Sequence, residues 1–244
     1  MKLIVVDTYE EGSRRGAGIL IDVVKANPHA VLGLATGKTP IGLYQEMVKD
    51  HRENHTSYKD VICYNLDEYY GLVETHPQSY RWFMQQHLFQ YLDINPLNTH
   101  VPCGSGDIAK NVQDYNRMLE REPRDIQLLG IGSNGHIGFN EPGESFESVT
   151  HEVELKPSTI QDNARLFFNG DIEAVPKKAI TMGIKNIMES KKILLMAFGG
   201  GKRNAVKELM EGQVREEVPA TVLQTHPDVT VIADREAASG LTNQ

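Results

Sequence analysis

Cysteine is scarce in this chain. Two cysteines, Cys63 and Cys103, lie far apart in 244 residues. Two thiols cannot form the disulfide framework of a small secreted fold, and their spacing does not match a structural zinc site. Cys63 lies inside an apolar run, so we expect a buried, reduced thiol.

An excess of basic residues and long hydrophobic runs are also missing. The formal net charge is −8, from 25 Lys and Arg against 33 Asp and Glu. Nucleic-acid phosphates select basic surfaces, so nucleic acid is not the expected partner, although a local positive pocket could still bind a small anion. No apolar stretch is long enough to span a membrane, and residues 1–7 are too short and too soon charged for a signal peptide. We expect a cytoplasmic protein with no membrane partner.

The hydrophobic pattern alternates between buried strands and amphipathic helices. Strands are predicted at 3–6, 31–35, 61–66, 125–129, 151–155, 179–182, 192–198 and 229–233. Helices are predicted at 10–25, 41–50, 79–91, 107–120, 158–165 and 203–210. A further short helix is predicted to follow the strand 179–182 and to end at 188. This alternation predicts an α/β fold with a mostly parallel central sheet. No repeat or linker divides the chain, so we expect a single domain over 1–244.

Polar segments follow four of these strands. Three contain glycine, at 36–40, 130–136 and 199–202, and the fourth carries Asp67. The carboxyl ends of parallel strands lie along one edge of a sheet, where open α/β sheets bind their ligands. We therefore expect the four segments to meet in one site.

The segment Thr36-Gly37-Lys38-Thr39-Pro40 joins a strand to a helix. Free backbone N–H groups at a helix N-terminus attract anions, and the two hydroxyls and the lysine would add to that attraction. The spacing is not that of a P-loop. An ordinary helix N-cap by Thr39 is the alternative interpretation.

Residues 130–143 hold five glycines together with His136, Glu141 and two asparagines. Glycine allows positive φ and close approach of a ligand. Histidine titrates near neutral pH, and carboxylates just beyond a strand, such as Asp67 and Glu68, suit acid–base chemistry. Solvent-exposed turn residues are the alternative interpretation of each of these groups.

Four segments together resemble the glucosamine-6-phosphate deaminases: Leu34–Pro40, Asn65–Tyr69, Gly135–Pro142 and Asn163–Arg165. The resemblance runs from the first strand to the last, and the part from His136 to Pro142 is the most specific. It implies a modified Rossmann-like, three-layer α/β fold with no metal and no organic cofactor. It also implies conversion of glucosamine 6-phosphate and water to fructose 6-phosphate and ammonia.

The same resemblance implies a role for each matching residue. Asp67 would move a proton between C2 and C1 of the sugar. His136 would open the pyranose ring, with Asn134 and Glu141 orienting and tuning its imidazole. The phosphate would be held by Thr36, Gly37, Lys38, Thr39, Arg165 and Lys202.

The chain also departs from the family pattern. Position 134 is Asn where some relatives have Asp, and Lys38 replaces a common glycine. Larger members bind an amino-sugar phosphate activator through basic residues near the segment matching 151–153, which here is His151-Glu152-Val153. We therefore predict weak or absent allosteric activation, and a monomer or a small homo-oligomer. The irregular segment 142–165 is predicted to be a lid over the site.

Two other functions are possible alternatives for this sequence. A 6-phosphogluconolactonase shares the fold and a Gly-His turn, but it moves no proton from carbon and would leave Asp67 without a purpose. A non-enzymatic sugar-phosphate sensor would carry a DNA-binding helix pair, and no segment before Leu3 supplies one.

Overall fold

A computed structural model describes residues 1–157, 160–161, 164–165 and 168–242. Seven strands form a parallel central sheet in the order β1-β10-β9-β6-β2-β3-β5. Their bounds are β1 (Lys2–Val6), β2 (Val31–Leu34), β3 (Ile62–Asn65), β5 (Thr99–His100), β6 (Ile126–Leu129), β9 (Ile193–Ala197) and β10 (Val229–Asp234). Every residue of β6 and β9 is buried, because helices cover both faces of a parallel sheet.

The described helices follow the predicted 3.6-residue pattern. The α-helices are α1 (Tyr9–Ala26), α2 (Ile41–Asn54), α3 (Tyr80–His87), α4 (Ile108–Arg121), α5 (Ile184–Met188), α6 (Arg203–Glu211) and α7 (Arg235–Ala238). Short 3₁₀ turns span Phe89–Tyr91, Pro96–Asn98, Gly200–Lys202 and Pro219–Thr225. The fold is therefore the predicted three-layer α/β arrangement around a mostly parallel sheet.

A second, smaller sheet was not predicted. Its strands β4 (Asp67–Tyr70), β8 (Lys178–Thr181) and β7 (His151–Glu154) pair antiparallel in the order β4-β8-β7. The backbone N–H of Met182 donates to Leu66 O over 2.6 Å, which joins the end of β8 to the end of β3. The chain thus passes from the central sheet into the small sheet at Asp67.

Several element bounds differ from the sequence prediction. The predicted helix 79–91 ends at His87, and a 3₁₀ turn continues to Tyr91. The predicted helix 158–165 lies partly outside the described residues. Within the described residues, no helix is long and apolar enough to cross a bilayer.

Candidate active site

The four polar strand ends lie beside one another, because β9, β6, β2 and β3 are consecutive in the sheet. They border a cleft of about 420 Å³. Seven of the predicted site residues line it: Thr36, Gly37, Lys38, Thr39, Asp67, His136 and Lys202. The cleft also contacts Ser133, Tyr80 and Phe139, which the sequence analysis did not select.

Asn134 and Glu141 form a network beside His136. The Asn134 side chain donates from Nδ2 to Glu141 Oε2 over 2.8 Å and accepts the His136 backbone N–H at Oδ1 over 3.2 Å. Glu141 Oε1 lies 3.4 Å from His136 Nδ1, close enough for charge attraction. Nδ1 is shielded from solvent and makes no hydrogen bond to the described residues. The carboxylate thus faces one nitrogen of the ring.

The backbone beneath the imidazole has to be glycine. A Cβ on Gly132 would lie 2.3 Å from the His136 ring, and Gly132 donates its N–H to the His136 carbonyl over 2.9 Å. Burial lowers the pKa of His136 below its usual 6.5, which Glu141 opposes and the Lys202 and Lys156 ammonium groups reinforce. Burial and the two lysines thus favour the neutral ring, which can accept a proton.

Asp67 is 6% exposed. Burial raises its pKa to about 8, and the carboxyl group of Glu68 adds to the shift. Glu68 is also buried, but its carboxylate accepts the backbone N–H groups of Tyr69, Tyr80 and Arg81 at 2.8, 2.9 and 3.0 Å. No hydrogen bond between described residues reaches the Asp67 carboxyl. Glu68 therefore anchors the start of α3, while Asp67 keeps its carboxyl group available to a ligand.

Three aromatic rings pack together next to Asp67. Tyr80 stacks on Phe139 with centroids 6.3 Å apart, and Tyr69 lies 4.9 Å from Tyr80. The sequence predicts a helix over 79–91 and does not place Tyr80 in the site. The only signal that could have separated Tyr80 is its position immediately after Ser79, which caps α3 by accepting Trp82 N–H. These rings help keep water from Asp67.

The turn at 36–40 brings the N-terminus of α2 to the cleft. Pro40 occupies the N-cap position of α2 and makes no capping hydrogen bond, so the alternative of an N-cap by Thr39 is wrong. Tyr9 holds the turn instead, accepting Gly42 N–H over 2.8 Å and donating to Thr39 O over 3.1 Å. Lys38 is exposed, whereas Lys202 is half-buried and its pKa is lowered by burial.

Arg165 does not line the cleft. It is exposed and follows the buried Ala164, and its neighbour Asn163 lies outside the described residues. Its phosphate contact stays a prediction.

The early part of the predicted lid is tied to the scaffold. Gly143 N–H donates to Glu216 O over 2.9 Å, and Phe146 N–H donates to Glu216 Oε1 over 3.1 Å. Ser148 accepts from Ile184 and Lys185. Movement of this segment would therefore have to break several hydrogen bonds before β7.

The family model for glucosamine-6-phosphate isomerases/6-phosphogluconolactonase matches residues 10–232. The chain belongs to this family. A glucosamine-6-phosphate deaminase from Geobacillus sp. (strain WCH70) is 53% identical over 243 residues, covering 98% of this chain and 95% of the relative. A solved structure of a monomeric glucosamine-6-phosphate deaminase is 47% identical with a TM-score of 0.94, covering 98% of this chain and all of the other.

The family also includes 6-phosphogluconolactonases. The solved structure of the enzyme from Trypanosoma brucei has a TM-score of 0.78 at 18% identity, with 99% of this chain and 98% of that chain covered. Identity this low shows a shared fold alone. Within the glucosamine-6-phosphate isomerase/6-phosphogluconolactonase family, the side chains in the cleft must therefore distinguish the two reactions.

Proposed function

We propose that this chain converts glucosamine 6-phosphate and water to fructose 6-phosphate and ammonia. The observation that carries the proposal is one cleft that holds two acid–base groups, Asp67 and His136, together with the cations Lys38 and Lys202. An aldose–ketose rearrangement of a sugar phosphate needs one group for the ring oxygens, one for the carbon-bound proton and an anchor for the phosphate.

Ring opening falls to His136. The closed sugar has no carbonyl beside C2, so a proton must leave the O1 hydroxyl and another must reach O5. A neutral imidazole can accept the first and deliver the second. Glu141, 3.4 Å from Nδ1, stabilises the imidazolium that forms between these steps.

Asp67 would transfer the carbon-bound proton. The open aldehyde acidifies C2–H, and a carboxylate beside it can take that proton and return it to C1. A pKa of about 8 makes Asp67 a stronger base than an exposed aspartate, and general-base catalysis typically contributes roughly 10²–10⁴-fold. The resulting 2-imino sugar reacts with water and releases ammonia, which leaves the ketose.

The phosphate does no chemistry in this scheme and supplies binding energy. The N-terminus of α2, the hydroxyls of Thr36 and Thr39 and the ammonium of Lys202 would hold it. Binding energy from this remote group positions C1 and C2. Arg165 is proposed as a further phosphate contact. The segment 142–165 is proposed as the lid.

The test is a direct assay of the purified chain with glucosamine 6-phosphate. Ammonia and fructose 6-phosphate should form in equal amounts, and Asp67→Asn should form both roughly 10²–10⁴-fold more slowly. A parallel incubation uses 6-phosphogluconolactone. Faster hydrolysis of that lactone than in buffer, without ammonia from the amino sugar, would replace the proposal with the lactonase reaction.

We also propose one cytoplasmic domain over 1–244 that acts as a monomer or a small homo-oligomer. A solved relative described as monomeric supports the small assembly. Light scattering after gel filtration measures the mass directly. Adding N-acetylglucosamine 6-phosphate should not change the shape of the curve of rate against substrate concentration.

A further inference from the structure

A lysine contacts the network beside His136 without lining the cleft. Lys156 Nζ lies 3.5 Å from Glu141 Oε2, the same oxygen that accepts the Asn134 amide. The other oxygen, Oε1, faces His136. Asn134 and Lys156 thus contact one Glu141 oxygen, while the other oxygen faces the imidazole.

The fold fixes Lys156 at this place. The preceding residue, Leu155, is buried and donates its N–H to Lys177 O over 2.9 Å, which continues the pairing of β7 with β8. Leu155 packs in a small cluster with Tyr69 and Ala179. Lys156 therefore approaches Glu141 from an anchored strand end, although half of its side chain is exposed.

Four charged or titratable groups surround the imidazole. Glu141 lies on the same loop, Lys156 follows β7, Lys202 follows β9, and Asp67 shares the cleft from the start of β4. Glu141 favours the protonated ring, and both lysines oppose it. Removing Lys156 would free Glu141 to pair fully with His136 and would also remove one of the opposing charges.

We infer that Lys156 is a positioning residue for ring opening, which holds the Glu141 carboxylate in place beside the His136 imidazole. This inference rests on the proposed function. Lys156 acts on side chains of the protein itself, so its effect can be measured in the free enzyme as well as during turnover.

The test titrates the His136 ring by NMR in the full chain and in Lys156→Met. The resonance is assigned by its loss in His136→Gln. The titration midpoint should move to higher pH by roughly 0.2–0.7 unit in Lys156→Met, the range that exposed ion pairs give. Lys156→Arg should restore it to the wild-type position.

Lys185→Met is the matched control. Lys185 pairs with Glu147 at 3.4 Å and is 49% exposed, against 3.5 Å and 48% for Lys156, but it has no contact with His136 or Glu141. This variant should titrate like the wild type. Equal midpoints in Lys156→Met and wild type, or failure of arginine to restore the midpoint, would overturn the inference.

The pH dependence of kcat/KM should show the same shift in the pKa of His136. With two bases that must be deprotonated, log kcat/KM should fall with slope one below the Asp67 pKa and with slope two below the His136 pKa. Lys156→Met should raise only the lower break. A wild type that releases no ammonia would refute the proposed function, while the NMR midpoints would still decide the role of Lys156.

Discussion

The Asn134 side chain donates to Glu141 across 2.8 Å, using the half of the amide that an aspartate lacks. The other half accepts the His136 backbone N–H. Asparagine thus supplies one donor and one acceptor to a loop that needs both. Asparagine at position 134 therefore holds the network together without adding negative charge.

Asn134→Asp should raise the pKa of His136. The new carboxylate loses the donor to Glu141 and adds a negative charge beside the ring, so the imidazolium becomes more favourable. We expect the NMR midpoint of His136 to rise by about 0.5–1 unit, with kcat/KM reduced most below pH 7. Asn134→Ala breaks the hydrogen bond without adding charge and separates the two effects. An unchanged midpoint in the aspartate variant would contradict this view of position 134.

Asp67→Asn should lower kcat by roughly 10²–10⁴-fold and change KM by less than about threefold, because the amide keeps the shape but cannot accept the proton. Incubation in deuterium oxide measures the step itself. The wild type should incorporate deuterium into the sugar, and the variant should not. Deuterium incorporation at the wild-type rate would remove Asp67 from proton transfer.

The same carboxyl group should destabilise the fold at alkaline pH. Its pKa is about 8 in the folded chain against an ordinary value of 3.8, so the native state binds more protons than the unfolded state between these values. Stability therefore falls as pH rises through this window. Asp67→Asn should gain roughly 2–4 kcal/mol of unfolding free energy relative to wild type on going from pH 5 to pH 9. Urea melts at the two pH values measure it, and a pH-independent difference would rule out the raised pKa.

Lys202→Met should raise KM by about 10- to 50-fold, with a smaller effect on kcat, because a charge-assisted contact to a phosphate is lost. Lys38 is exposed and should contribute less, about two- to fivefold in Lys38→Met. Glucosamine without its phosphate is the control substrate. The lysine variants should process it like the wild type, and an equal loss on both substrates would assign these lysines a different role.

Gly132→Ala should lower kcat by displacing the His136 ring, because the added Cβ would lie 2.3 Å from it. We expect a loss of about 10²-fold, the scale of a misplaced catalytic group. Gly18→Ala is the control, since a Cβ there meets open space in α1. It should keep full activity and gain about 0.5–1 kcal/mol in stability. Wild-type kcat in Gly132→Ala would show that the ring can be accommodated elsewhere.

Much of the fold could be predicted because buried strands leave continuous apolar runs. All eight predicted strands occur within one residue of their expected ends. The strands that were missed, β4 and β5, are short and polar, with the sequences DEYY and TH. Their pairing depends on partners distant in the sequence, such as Thr181 opposite Asp67, and no local period records it.

The site was predictable to the extent that its residues follow central strands. The segments at 36–40, 130–136 and 199–202 converge because adjacent parallel strands end at one edge. Tyr80 and Lys156 could not be found in this way. Tyr80 resembles any core aromatic in a helix, and Lys156 reaches Glu141 only because β7 pairs with β8.

Asp67 opens the small antiparallel sheet, whereas His136 follows a strand of the central one. The groups proposed for the carbon-acid step and the ring-opening step thus lie on two separately hydrogen-bonded sheets, joined through contacts such as Asn140 Nδ2 to Met182 O at 2.9 Å. The spacing between the two reaction centres can therefore be adjusted by packing between the sheets, with both chemical groups unchanged. Relatives that act on sugars of different shape could differ in the residues packed between the two sheets before any change in their acid–base residues.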